Sequence, residues 1–463
     1  MVVSSKVKSV EPTRVLPLRG LGHWSYQQRF AIFLNFGATF QDFLPDSKLY
    51  VIRNQQAIAP EFRKENLRKY MKIGLLIFCL VSFKTYKIQA QKSVSDSSKS
   101  QQITRSLKDF PNFTKTLLLE KRPDTTANVS FGDFNGDGHL DLLLVKGRHW
   151  PIPDRILLGD GRGRIQREYN IGQLPDRSYT GALTDFNRDG HLDIAVSNDA
   201  PDRKLIYFND GKGNFEIGSE FGLPEWPTRN ISIADINADG LPDIILANRG
   251  NSGSSNYICL NKGKGQFDCN CTAVAPYPAT TIYPADINKD GILDLVVPHR
   301  DGGQSYVYLG GPDHKFSDTR RIAFGPGNAT IRVAAAADFN GDNLIDIVTV
   351  EERKGTSLYQ GQKDNTFSAG IWLAGPGKSP YALAIADLNN DEKVDIIVGH
   401  EEAPSSVFFN NGTGHHFTEI SFGDSKGTVY AFAVGDFNED GNPDIAVARS
   451  DASNVLYFGI KPK

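Results

Sequence analysis

The chain has 463 residues, 51 Lys and Arg against 54 Asp and Glu, and 40% hydrophobic side chains. That near balance excludes a nucleic-acid coat, and no basic run interleaved with aromatics points to a nucleic-acid partner. With 4 cysteines in such a length, a disulfide framework is excluded as the source of stability.

Residues 1–70 show neither a repeat nor a clear amphipathic period. Met71, the second of 2 methionines, opens Met71-Lys72, then the apolar run Ile73 to Phe83, then Ile88-Gln89-Ala90. This is the three-part layout of a secretory signal peptide over residues 71–90, with a cut expected between Ala90 and Gln91. The apolar run is too short to cross a bilayer, so no stable membrane span is expected after cleavage. Signal peptides sit at true N-termini, so translation is expected to start at Met71, with residues 1–70 an untranslated upstream extension. The competing reading is a real N-terminal extension ahead of a short anchor. Residues 91–111, rich in Ser, Lys and Gln, read as a flexible lead-in. The expected location is secreted, periplasmic or cell surface.

From Asp133 onward the pattern Asp-x-Asn-x-Asp-x-x-x-Asp recurs seven times at intervals of 49 to 52 residues. The copies are Asp133, Asn135, Asp137, Asp141; Asp185, Asn187, Asp189, Asp193; Asp235, Asn237, Asp239, Asp243; and Asp286, Asn288, Asp290, Asp294. They continue with Asp338, Asn340, Asp342, Asp346; Asp387, Asn389, Asp391, Asp395; and Asp436, Asn438, Asp440, Asp444. Hard oxygens at alternate positions suit calcium, with the seventh-position carbonyl and a water completing six to eight ligands. Magnesium fits less well because it keeps several waters. The bland alternative is a set of Asx turns that satisfy their own backbone, but three crowded carboxylates repel one another and call for a cation. Up to seven calcium ions are expected, with the Asp387 loop the weakest or most distorted, since Glu392 stands at its sixth position where most copies carry Gly.

Each unit reads as four short strands. In the second copy these are a run before Asp185, Leu192 to Val196, Leu205 to Phe208, and Phe215 onward. A Gly-rich hairpin such as Asn209-Asp210-Gly211-Lys212-Gly213 joins the last two. A period near 50 residues with four strands per unit predicts an all-β fold, a seven-bladed β-propeller of four-stranded blades over residues 112–463. The last copy stops after its third strand, so the segment 112–119 is expected to complete the last blade and close the ring.

The run Phe131-Gly132-Asp133-Phe134-Asn135-Gly136-Asp137-Gly138, with the following strand and Gly-x-Gly hairpin, resembles the FG-GAP or VCBS repeat. That repeat builds the integrin α-chain head, several lectins and many secreted bacterial proteins. The resemblance implies a calcium-bearing propeller, and it implies no single activity.

Cys259, Cys269 and Cys271 flank one hairpin. A bridge from Cys259 to either of the other two suits an oxidising compartment; three unpaired cysteines fit equally well. Beyond residues 1–90, which are rich in Lys and Arg, the chain is acidic, and seven divalent ions in the loops would nearly neutralise it.

In a propeller blade the face opposite the Asp loops carries the connections that commonly bind ligands. The residues placed there are His149, Trp150, Tyr179, Arg229, His299, Arg300, Arg332, Tyr381, His400 and Tyr430. Aromatics could stack on sugar faces and arginines take carboxylate or sulfate by two-pronged bonds. The favoured function is a recognition or adhesion module for an extracellular glycan or protein. The alternative is a polysaccharide lyase, in which His and Tyr handle protons beside a uronate whose carboxylate an Arg neutralises. For any one of these residues, being merely a solvated loop tip is as good a reading.

Overall fold

The computed structural model describes residues 109–172, 175–250, 255–267, 270–374 and 377–462, all within one unit, Gln101–Lys463. The expected extension, signal segment and most of the lead-in lie outside the described residues, as does Cys269. From Asn112 to Ile460 the regular elements are all β-strands.

The first copy of the repeat is a sheet of Thr126–Gly132, Asp141–Lys146, Arg155–Gly159 and Ile165–Asn170, antiparallel and in chain order. Why it forms is plain in its second strand, where Leu142, Leu143, Leu144 and Val145 are all fully buried. Successive side chains point to opposite faces. Leu142 and Leu144 accordingly pack with Ala446, Ala448 and Leu456 on one side, while Leu143 and Val145 meet Ile194 and Val196 on the other. A strand buried on both faces needs an unbroken apolar run, and each sheet needs two neighbours, which a ring supplies.

The expectation of seven separate four-stranded blades is corrected by the sheet pairing. Five four-stranded blades stand alone, and the last two copies are merged in one eight-stranded sheet. The cause is local. The second strand of the sixth copy, Asp395–Glu401, reaches the start of Thr428–Gly435, where Glu401 pairs with Thr428. Glu402 N–H then donates to Gly427 O at 3.0 Å.

At the ends of the chain, Asn112–Leu118 lies antiparallel to Val455–Ile460, with Thr116 opposite Tyr457. A buried polar network locks this junction. Glu120 accepts from Lys146 Nζ on one oxygen and from Asn454 Nδ2 on the other, and Asn454 also donates to Thr126 Oγ1 at 2.9 Å. Lys146 is fully buried and Glu120 nearly so. The choice left open among the cysteines is settled between the described ones: Cys259 and Cys271 form a disulfide.

Removing one partner of a buried ion pair strands the other charge. Glu120→Ala should lower stability by about 3–5 kcal/mol, read as a drop in urea midpoint, whereas Glu120→Leu combined with Lys146→Met should recover most of it. A single variant as stable as the parent would show that the network does not hold the ring closed.

Candidate functional site

A recurrent irregularity builds the site. At the start of six inner strands the antiparallel register skips one residue: Ala127, Tyr179, Arg229, Arg332, Tyr381 and Tyr430 each fall between paired neighbours. A bulged residue leaves the ladder and its side chain is re-aimed. All six turn into one cavity of about 250 Å³ on the ring axis, together with Thr280 of the fourth copy. The Asp loops lie at the other end of the same strands, about 20 Å away for a rise near 3.3 Å per residue.

Five arginines line this cavity, Arg148, Arg229, Arg249, Arg300 and Arg332, and no carboxylate does. Carboxylates stand behind them. Arg229 Nη1 lies 2.6 Å from Asp199, Arg249 is 3.3 Å from Asp301, and Glu352 holds both Arg300 and Arg332, the latter at 3.1 Å. The guanidinium planes are also stacked on rings: Arg332 over Tyr381 at 3.5 Å, Arg148 over Tyr430 at 4.0 Å and Arg229 over Tyr179 at 4.4 Å. Stacking and pairing fix the forks in place before any ligand arrives.

One corner unites proton-handling groups. Tyr179 OH is 3.0 Å from His149 Nε2, and His149 Nδ1 is 3.2 Å from Asp199, which also pairs with Arg229. Burial, helped by Arg229 and Arg148, holds the His149 imidazolium below its usual range. Burial pushes the Tyr179 phenol up. Across the cavity the Tyr381 and Tyr430 hydroxyls are 3.2 Å apart.

Seven of the ten residues expected on this face line the cavity: His149, Tyr179, Arg229, Arg300, Arg332, Tyr381 and Tyr430. Three do not. Trp150 is exposed beside the Gly147 turn, with its N–H on Gly147 O at 2.8 Å. His299 rests against Tyr277, with ring centres 5.8 Å apart. His400 is buried within the strand Asp395–Glu401, its Nδ1 2.8 Å from Pro404 O, and burial pushes its pKa down to about 4. Arg148 and Arg249 line the cavity too; the sequence places both on this face, just after a second strand, without singling them out as site residues.

On the opposite face the Asp loops divide into two parts. The ninth-position Asp is fully buried in every copy. In the first, Asp141 accepts from Phe134 N–H at 2.9 Å and from Gly159 N–H at 2.8 Å. In the last, Asp444 accepts from Phe437 N–H at 3.0 Å and from Gly459 N–H at 2.9 Å. Burial pushes the Asp141 carboxyl up to about 6, against the pull of those two donors. The first, third and fifth positions stay at the surface. Asp133 accepts from Gly136 and Gly138 N–H, and Asp137 from His139 N–H.

Among the described residues no three Asp, Glu, His or Cys side chains gather as a metal cage. The donor chemistry of the loop rim, two carboxylates and one amide oxygen at alternate positions, fits a hard cation. Asp133, Asn135 and Asp137 would hold it in the first copy and their counterparts in the others. The Asp387 loop keeps the shape of the rest, with Glu392 left-handed at a φ of +64° and its N–H on Asp387 at 2.7 Å. It differs in charge, since Lys393 Nζ lies 3.5 Å from Asp391.

Five overlapping stretches, residues 185–246, 235–297, 286–349, 338–398 and 387–447, match the FG-GAP-like repeat. No curated protein matches the chain. Among solved structures, the BP39L lectin from Burkholderia pseudomallei is similar over 74% of this chain and 99% of its own, at 11% identity and a TM-score of 0.56. BBS1N, in complex with ARL6DN, is similar over 75% of this chain and 96% of its own, at 13% identity and a TM-score of 0.52. Identities this low show a shared propeller fold.

The two parts of the loop should separate in a stability measurement on chelator-treated protein. Asp444→Ala leaves two buried N–H groups unpaired and should cost about 2–5 kcal/mol, whereas Asp436→Ala at the rim should cost about 1 kcal/mol. Equal losses in urea melts would mean the ninth carboxylate is not the structural one.

Proposed function

Because the chain belongs to the FG-GAP-like repeat family, whose fold sets no single activity, we propose a function from the arginine-lined cavity at the bulged ends of its inner strands: a recognition module that takes an acidic group of an extracellular glycan or protein. The carrying observation is that five arginines, three of them stacked on rings and four paired with carboxylates behind them, face a cavity with no carboxylate in its lining. Fixed guanidinium forks in a part-dry site favour carboxylate, sulfate or phosphate oxygens, and Tyr381 and Tyr430 offer edges and faces to an attached sugar or side chain. The like-folded lectin and the like-folded partner of ARL6DN support a glycan or a protein as the source of that group. An exported location is supported by the signal-like Met71 to Ala90 and by the Cys259–Cys271 disulfide.

The 3.0 Å contact of His149 with Tyr179 favours a second reading. In a lyase, neutral His149 would take the proton at C5 of a uronate while Arg229 neutralises its carboxylate. The C4–O4 bond would then break, a C4–C5 double bond form, and Tyr179 pass a proton to the leaving oxygen. Titration calorimetry of the purified protein against a panel of acidic polysaccharides and peptides, followed at the absorbance of unsaturated uronates, separates the two. Binding without product, weakened about tenfold or more by Arg148→Gln with Arg249→Gln, supports recognition. Product with any member of the panel would replace it with the lyase.

Calcium in the loops belongs to the same reading as scaffold. Each rim joins the two inner strands of a sheet, and its carboxylates repel without a cation. Chelation should lower the melting temperature, and calcium at a hundredfold excess over Kd should restore about 2.7 kcal/mol per independent site. A melt insensitive to both would leave the loops as self-satisfied Asx turns.

A further inference from the structure

The ion pairs around the cavity do not close. Arg148, Arg229, Arg249, Arg300 and Arg332 line it. Of the described carboxylates, Asp199, Asp301 and the shared Glu352 answer them. Among the described residues Arg148 has no acidic partner; its guanidinium reaches Ser450 Oγ at 3.4 Å and bonds the Tyr179 hydroxyl. The site therefore carries two positive charges in excess of its own carboxylates. Its other titratable lining groups are His149, Tyr179, Tyr381 and Tyr430, none of them a carboxylate.

Unsatisfied donors lie in the same place. Arg148 Nε, Thr280 Oγ1 and Thr281 Oγ1 are buried with no hydrogen-bond partner, and Thr280 is only 8% exposed. A buried polar atom without a partner costs about 1–3 kcal/mol, so its persistence at a cavity wall points to a ligand that satisfies it. These donors come from the first and fourth copies of the repeat, from different directions around the axis. A planar carboxylate accepts a fork in one plane. Three terminal oxygens on a tetrahedral centre accept from several walls at once.

We infer that the acidic group recognised in the axial cavity is a phosphate monoester, bound as its dianion by Arg148, Thr280 and Thr281 within the field of Arg229 and Arg332. The inference rests on the anion-recognition reading above and narrows it. A carboxylate or a sulfate ester brings one negative charge and leaves one guanidinium uncompensated. A phosphate monoester brings close to two at neutral pH, its second ionisation lying near pH 6.

The test is calorimetry of the purified protein with glucose 6-phosphate, glucose 6-sulfate, glucuronate and inorganic phosphate. Glucose 6-phosphate should bind at least about tenfold tighter than the sulfate and the uronate. Its affinity should rise about tenfold between about pH 5 and 7.5 as the ester loses its second proton. Glucose 6-sulfate should show no such rise, and protonation of His149 at low pH would act in the opposite sense, so the rise reports the ligand. Arg148→Gln and the paired Thr280→Val, Thr281→Val should erase the preference for phosphate without lowering the thermal melt, since each removes a buried donor that has no partner in the free protein. Inorganic phosphate binding as tightly as the ester would support the inference and make the free anion the source. Sulfate or uronate binding equally well would overturn it and leave acidic recognition standing. If none of the four anions, nor any acidic polymer, binds, both readings fall.

Discussion

A buried carboxylate that accepts two main-chain N–H groups is the contact on which the rest of the molecule depends. Asp193 takes Phe186 N–H at 3.0 Å and Asn209 N–H at 2.9 Å, and Asp346 takes Phe339 and Gly361 N–H at 3.0 and 2.9 Å. One donor comes from the turn after the inner strand and the other from the end of the third strand. A single side chain therefore pins three strands of a sheet at one end. No neutral side chain of that size accepts two such bonds equally well, and a buried charge is tolerated there because both oxygens are satisfied. The residue that follows the first Asp turns inward as a consequence. Phe134, Phe186, Phe339 and Phe437 are each at most 1% exposed and plug the gap between neighbouring sheets.

With that end fixed, contacts between copies follow. Asn209 Nδ2 reaches back to Phe134 O at 2.9 Å, and Asn410 Nδ2 to Phe339 O at 2.8 Å, so the hairpin asparagines tie one sheet to the turn of the one before. Arg188 donates to Gly240 O and Asn390 Nδ2 to Gly441 O at 3.0 Å, which links neighbouring loop rims. Such ties are short-range and repeat along the chain. The ring closes through contacts of another kind, between residues hundreds apart in sequence: Asn112–Leu118 pairs with Val455–Ile460, and Asn454 reaches Glu120 beside Lys146.

What could be read from residues alone follows this division. The Asp loops, the apolar second strands and the missing last strand are periodic, and a period is visible in one sequence. The merging of the last two copies is not periodic. It depends on Glu401 meeting Thr428, a backbone contact that no residue type announces. The buried role of Asp141 was hidden for another reason: a metal ligand and a double acceptor call for the same side chain. The ring of Tyr179, Arg229, Arg332, Tyr381 and Tyr430 could be placed by counting back from each loop, whereas the bulge that turns those residues inward could not. His149 meeting Tyr179 joins residues of adjacent copies, a pairing that spacing within a repeat does not reveal.

The two faces answer to different constraints, and the bulge is what separates them. At the loop end each copy must satisfy the same N–H groups, so its residues are alike. At the bulged end the skipped residue is released from the ladder, and neither pairing nor packing dictates its side chain. Ala127, Tyr179, Arg229, Thr280, Arg332, Tyr381 and Tyr430 stand at equivalent places, and no one residue type is kept in all of them. Freedom alone would leave these positions small or neutral, since crowding five guanidinium groups into one cavity works against folding by like-charge repulsion and desolvation. Among the described residues three carboxylates offset them. An uncompensated positive charge at the one place where the fold imposes nothing is what a site shaped by an anionic ligand would retain.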